Sequence, residues 1–283
     1  MRVLPALTSL LLAAALAGCG GDVDDLLRPR PTGCYFGGGE EPVHLTAEQT
    51  ANAATIAAVG MRDGMDERAV AVAITTAMQE SELVNVDYGH HDSLGLFQQR
   101  PSMGWGTEEE LLDPVYASFK FYEKLDRTDG WRDMTLAEAA QAVQISAYPE
   151  LYEQWEDDAV VIAAVLAGGE ESGLRCVSGS ADEAAEPASL AEAYAYQWGI
   201  EATSVDETTV VIGPYEAVPG WNRAAWAVAR SYDHGIESVA YDGLVWTPGE
   251  DGWVEPQSED GENVAATEDL DPGTIVVTFA SEA

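Results

Sequence analysis

Residues 69–105 read AVAVAITTAMQESELVNVDYGHHDSLGLFQQRPSMGW. The run opens with a helical pattern that is apolar nearly all round. Val70, Ala71, Val72, Ala73, Ile74, Ala77 and Met78 leave it no polar face, so the helix belongs in a core. It ends in Gln79-Glu80-Ser81. A carboxylate at the end of a buried helix is unfavourable unless it is partnered or used. Counting back three, four and seven places from Glu80 finds Ala77, Thr76 and Ala73, so the helix itself offers no compensating charge. The alternative is a terminal glutamate that points to water. A Gly- and Asp-rich turn follows over 87–93, and then Gly-Leu-Phe-Gln-Gln-Arg-Pro.

The flanking sequence supplies more helices. Thr46 and Gln49 form a capping box that opens a helix expected to stop at Gly60, and Asp66 caps the central helix over 67–81. Thr107 with Glu110 and Thr135 with Glu138 are further capping boxes. Pro114 suits the first turn of a helix on which Val115, Phe119 and Tyr122 share a face. The helix after Thr135 carries Ala139, Ala140, Val143 and Ile145. Pro149 opens a last helix with Leu151, Trp155, Ala159, Ile162 and Leu166, ended by Gly168-Gly169. Short helices around a central apolar one predict a mainly α unit over 44–168.

Glu80-Ser81 followed by Gly95-Leu96-Phe97-Gln98, with eighteen positions from Glu80 to Gln98, resembles the catalytic signature of soluble lytic transglycosylases and goose-type lysozymes. The block over 45–167 resembles the lysozyme-like domain of secreted actinobacterial cell-wall proteins. The resemblance implies a lysozyme-like fold, peptidoglycan as substrate, and Glu80 as general acid and base. A carboxyl group does that work at neutral pH when apolar burial raises its pKa. It further implies that Ser81 and Gln98 contact the sugar or order the cleft. The family also places a Tyr beside the acid, from a later Ala-Tyr-Asn. Ala147-Tyr148-Pro149 matches that in part and nominates Tyr148, while Pro149 leaves the Asn without a counterpart.

Two chemistries stay open. Glycosidases that use water need a second carboxylate. Lytic transglycosylases use one acid, which later takes the proton of the muramic C6 hydroxyl and leaves a 1,6-anhydro end. Asp92 is the better candidate for a water base and Asp87 the poorer; the plainer reading of both is a turn residue bonding nearby backbone. Tyr88 and Trp105 are candidate stacking surfaces, or packing. His90 and His91 are adjacent, but His44 and His234 lie far away in sequence and no carboxylate shows ligand spacing, so neither metal nor cofactor is expected.

The chain has 283 residues, 46% of them hydrophobic, enough for real cores. Lys plus Arg is 13 against 50 Asp plus Glu, a net charge of −37. That balance argues against nucleic acid, whose phosphates need cationic surface. The acidity is spread over the chain and reads as a solvated surface of the kind suited to salt, with binding of cations or a basic partner as the other reading.

Arg2 and the apolar run over 7–16 form a targeting segment too short to span a bilayer. Leu16-Ala17-Gly18-Cys19 resembles a bacterial lipobox, which implies cleavage after residue 18, lipid on Cys19 and a membrane-anchored, extracytoplasmic protein. An ordinary signal peptide containing a Cys is the alternative. Residues 19–43 read as a flexible tether. Outside the cytoplasm Cys34 and Cys176 read as one disulfide rather than two free thiols. In the chain-entropy model closing so long a loop stabilises by on the order of 4–5 kcal/mol.

Residues 169–188 read as a linker. The remainder, 189–283, reads as a small α+β accessory domain. It has helices over 189–198 and 223–233, strands over 208–212, 238–241 and 274–279, and a hairpin turn at Asp242-Gly243. No catalytic motif stands out there. The fold class expected overall is α+β, and a chain ending near Gly179 is expected to fold and cleave without the accessory domain. Two function classes compete: a glycan-strand cleaving enzyme, and a catalytically inactive lysozyme-like wall-binding lipoprotein. A metal- or solute-binding lipoprotein is a third, and its Cys/His/Met cluster is not found.

Overall fold

The computed structural model describes residues 32–39, 41–177, 187–256 and 271–280. The expected signal segment and Cys19 lie outside them, as do residues 178–186 of the expected linker. The fold is α+β, with both sheets antiparallel.

Helix α1 (Ala47–Arg62) starts on the Thr46–Gln49 capping box and α2 (Glu67–Ser81) on Asp66, whose side chain accepts from Ala69 N at 3.0 Å. Every residue of α2 from Ala69 to Met78 is buried, against α1, α5 (Leu136–Gln144) and α6 (Glu156–Leu166). Short α3 (Glu108–Leu111) and α4 (Pro114–Asp126) start as their caps predict. Two details differ. Gly60 does not stop α1. It lies inside the helix because a Cβ there would sit 2.7 Å from the Tyr122 hydroxyl oxygen, so glycine permits the close crossing of α4. On α4 the inward ring at the expected Phe119 position is instead Phe121, stacked on Phe97 at 4.7 Å, while Phe119 is exposed.

Within the expected tether, Gly33–Phe36 is strand β1. It pairs with β2 (Val43–Leu45) on one side and β3 (Leu174–Val177), from the expected linker, on the other. Cys34 stands directly opposite Cys176 in this register, and the two are disulfide-bonded. The later residues supply α7 (Pro187–Trp198), β4 (Ser204–Val205), β5 (Thr209–Ile212), α8 (Ala217–Ala229), short α9 (Ser231–His234), β6 (Ile236–Tyr241), β7 (Leu244–Trp246), β8 (Trp253–Val254) and β9 (Ile275–Phe279). The six strands run in the order β4-β5-β9-β6-β7-β8. The β6–β7 turn is at Asp242-Gly243, both with positive φ, as a two-residue hairpin requires. Trp198, Trp221, Trp226 and Trp246 are buried.

The boundary expected at 169–188 divides the sequence but not the core. Helices α7 and α8 pack on α1, α8 also packs on α6, and one hydrophobic cluster contains residues from both sides. Arg230, buried beyond α8, donates to Thr55 Oγ1 of α1 and, at 2.9 Å, to Gln197 Oε1 of α7. Contacts join the described residues, which begin at Thr32, into a single unit. Among the described residues no helix is long and apolar enough to cross a membrane.

Candidate functional site

Helix α2 ends in a left-handed turn built without glycine. Glu82 has φ +54 and Leu83 φ +58, and their N–H groups return to Met78 O and Ala77 O at 3.1 Å each. Helix α1 holds the turn: Gln49 Nε2 donates to Glu82 O and Asn52 Nδ2 to Leu83 O, both at 2.8 Å. The position of Glu80, one residue from the end of α2, is therefore set from two helices.

The next segment folds back over this end. Leu94 and Gln99 pair across a bridge, and Gln99 Nε2 donates to Ala117 O at 3.1 Å. Leu96 and Phe97 drive into the core. The Ser81 hydroxyl donates to Leu96 O at 2.8 Å, which clasps the run to the helix that bears the acid. Gln98, at φ +46, is left facing the solvent side. Its Nε2 donates to Tyr88 O at 3.2 Å. Gly89 is required beneath it, because a Cβ there would stand 2.0 Å from Gln98 Oε1 and 2.6 Å from Ser93 O.

These elements enclose an open cleft of about 360 Å³, lined by Glu80, Ser81, Glu82, Val84, Tyr88 and Gln98 among others. Glu80 meets its partners on the other flank. Tyr152 Oη donates to Glu80 Oε1 at 2.5 Å, and the Gln144 amide, on the same side, favours the charged form of that carboxyl group. Gln144 Nε2 also donates to Phe97 O at 2.6 Å, so one amide ties α5 to the Gly95–Gln98 run. Gln79 is braced by Trp155 Nε1 at 3.0 Å and Gln154 Nε2 at 3.1 Å. Burial raises the pKa of Glu80, and Tyr152 and Gln144 offset only part of that effect. Tyr152 is itself raised, first by burial and then by the charge of Glu80, so it acts as a donor and not as an acid. Among the described residues no cation pairs with Glu80. The arrangement suits a carboxyl group that holds its proton at higher pH than an exposed glutamate and can transfer it to a group bound in the cleft.

Glu80, Ser81 and Gln98 thus meet at one cleft. Asp92 and Tyr148 do not join them. Asp92 Oδ1 accepts from Arg100 Nε at 2.7 Å and Ser102 Oγ at 3.0 Å, and its Oδ2 from Ser102 N at 2.7 Å. The Arg100 guanidinium, with Ser102, holds its carboxyl well below the usual carboxylate range. A carboxylate so weakly basic and so fully engaged is a loop clamp, a poor base for water. Tyr148 is 63% exposed, and the tyrosine on the acid is Tyr152. Trp105 packs under Lys124 instead of facing the cleft. His90 and His91 touch each other edge to face, and among the described residues no group of three or more His, Cys, Asp or Glu side chains is placed to hold a metal.

The sequence reading missed Tyr152 for a geometric reason. A continuous α-helix from Pro149 puts Leu151 and Trp155 on one face. The segment Pro149–Trp155 is instead a 3-10 helix, in which every third residue aligns, so Tyr152 and Trp155 together face the end of α2. Gln144 carried no signal beyond its place at the end of an amphipathic helix. Glu82, a second carboxylate on the cleft wall, was hidden by its place just past the α2 pattern.

The chain matches no protein-family model and no curated protein.

Proposed function

We propose that this chain cleaves the glycan strands of peptidoglycan, with Glu80 as general acid and then general base. The observation that carries the reading is a desolvated, hydrogen-bonded Glu80 with no cationic partner among the described residues, in an open cleft with Ser81 and Gln98. Protonated Glu80 donates its proton to the glycosidic oxygen as the C1–O bond breaks. The resulting carboxylate then takes the proton of the muramoyl C6 hydroxyl, whose oxygen closes on C1. Glu80 ends protonated again and the product carries a 1,6-anhydro end. The engagement of Asp92 by Arg100 and Ser102 favours this single-carboxylate route over a water-using one that relies on Asp92.

Ser81 and Gln98 order the cleft in this scheme, and Tyr152 and Gln144 fix the direction of the acid. Neither cofactor nor metal takes part. The lipobox-like sequence before Cys19 supports a lipid-anchored, extracytoplasmic location, where peptidoglycan is at hand. Reducing-end analysis of digested peptidoglycan tests the scheme. Soluble fragments without new reducing ends are expected. New reducing ends in proportion to fragments mean hydrolysis. No release, with retained binding to the wall, means the inactive wall-binding alternative.

A further inference from the structure

Every second side chain after the left-handed turn at the end of α2 faces the cleft. Val84, Val86 and Tyr88 line it together with Glu80, and Asn85 and Asp87 between them do not. Asn85 turns elsewhere, where its Nδ2 donates to Leu112 O at 2.7 Å. The cleft that holds the acid thus has a strip of three apolar side chains along one stretch of chain. Ser81, Glu82 and Gln98 are among its polar lining.

The strip is held by its backbone. Val86 N donates to Val84 O at 3.0 Å, Val86 O accepts from Gly95 N at 2.8 Å, and Tyr88 O accepts from Gln98 Nε2 at 3.2 Å. The Gly95–Gln98 run that folds over the end of α2 therefore also sets where the strip lies. Tyr88 is fixed at its carbonyl while its side chain is 71% exposed, and it belongs neither to the hydrophobic core nor to the side chains packed on it. Of the two aromatics that the sequence nominates for stacking, Trp105 is drawn under Lys124 and Tyr88 lines the cleft.

A single exposed aromatic on an open surface needs no explanation. Tyr88 instead ends an apolar row inside a concavity, and apolar lining with a few polar groups is the pattern of a small-ligand site. The ligand chemistry that matches has one apolar face and a polar edge. A pyranose ring presents C–H bonds on its face and hydroxyls around its edge. A tyrosine ring covers such a face with little loss of conformational freedom.

We propose that Tyr88, at the end of the Val84–Val86–Tyr88 strip, is the platform on which the C–H face of a glycan pyranose ring lies, and that this contact supplies affinity for the strand. This rests on the reading of Glu80 as the acid of glycan cleavage. A platform of this kind touches the sugar equally before and during bond breaking, so its loss raises KM and leaves kcat nearly unchanged.

The test uses the full chain and glycan strands stripped of their peptide stems. Because the Tyr88 side chain is exposed, Tyr88→Ala should fold with the thermal midpoint of the unchanged chain. It should raise KM about tenfold with little change in kcat, the scale of one lost apolar contact. Tyr88→Phe, which keeps the ring, should restore most of the loss. Calorimetric binding of the same strands in a Glu80→Gln background gives the same comparison without turnover. A folded Tyr88→Ala chain with unchanged KM and affinity overturns the proposal, as does a loss confined to kcat, or an equal loss in Tyr88→Phe. An unchanged chain that neither binds nor cuts the strands overturns the parent reading, and this inference with it; that failure shows before any variant is made.

Discussion

Burial favours the neutral form of the Glu80 carboxyl group, and the stability of the fold should register this. Its pKa is raised in the folded chain, so the folded state binds the proton more tightly than the unfolded one. Below the ordinary glutamate range both states are protonated and nothing is lost. Stability falls as pH rises from that range through the raised pKa, and the loss is complete above it. Glu80→Gln removes the loss. Its thermal midpoint should equal that of the unchanged chain in acid and exceed it at neutral pH; an equal midpoint at every pH would contradict the burial argument. Tyr152 works in the opposite direction, because its hydrogen bond favours the charged carboxylate. Tyr152→Phe should therefore raise the Glu80 pKa further and move the alkaline limb of the cleavage profile to higher pH. A limb that moves to lower pH would mean that the tyrosine does not act on the acid's charge. Glu80 stood out in the sequence as a candidate because an apolar helix ends there on a carboxylate and Gly95-Leu96-Phe97-Gln98 follows at the spacing of the resembling families. Tyr152 did not, because a 3-10 turn and an α-turn of the same residues present different side chains.

At the scale of elements, capping boxes and Asp66 gave the helix starts well, since those signals are local. Helix α1 shows where local reading stops. Gly60 reads as a terminator, but its role is to let the Tyr122 hydroxyl approach α1 and donate to Ile56 O at 3.0 Å. Gly60→Ala gains about 0.5–1 kcal/mol of helix propensity. It also forces a methyl group against a buried ring, which costs about 1–3 kcal/mol. The second effect wins, so the thermal midpoint should drop by a few degrees, and a rise would show that α4 can move away. Strands β1 and β3 were read as tether and linker for a related reason. Each has four residues, and they pair with each other across the whole α block, with β2 on the other side of β1.

The described residues share one hydrophobic core where the sequence suggests two domains. Helix α1 is buried continuously from Thr50 to Gly60 because α2 and α4 cover part of it and α7 and α8 another part. Linker-like composition at 169–188 marks a change of secondary structure and carries no information about packing. A chain ending at Val177 keeps the disulfide and α1 to α6 but uncovers the α7 and α8 faces of α1 and α6 and leaves Thr55 without Arg230. It should be aggregation-prone and lack a cooperative unfolding transition. A soluble truncated chain that unfolds cooperatively and cuts short glycan fragments would restore the two-domain division.

In the proposed mechanism Glu80 transfers the proton that breaks the glycan strand. Mass spectrometry of muropeptides released from purified sacculi tests it most directly, with the unchanged chain and Glu80→Gln side by side. The unchanged chain should release 1,6-anhydro muropeptides, and Glu80→Gln should release them about 10²–10⁴-fold more slowly. Release by a folded Glu80→Gln protein at the rate of the unchanged chain would contradict it.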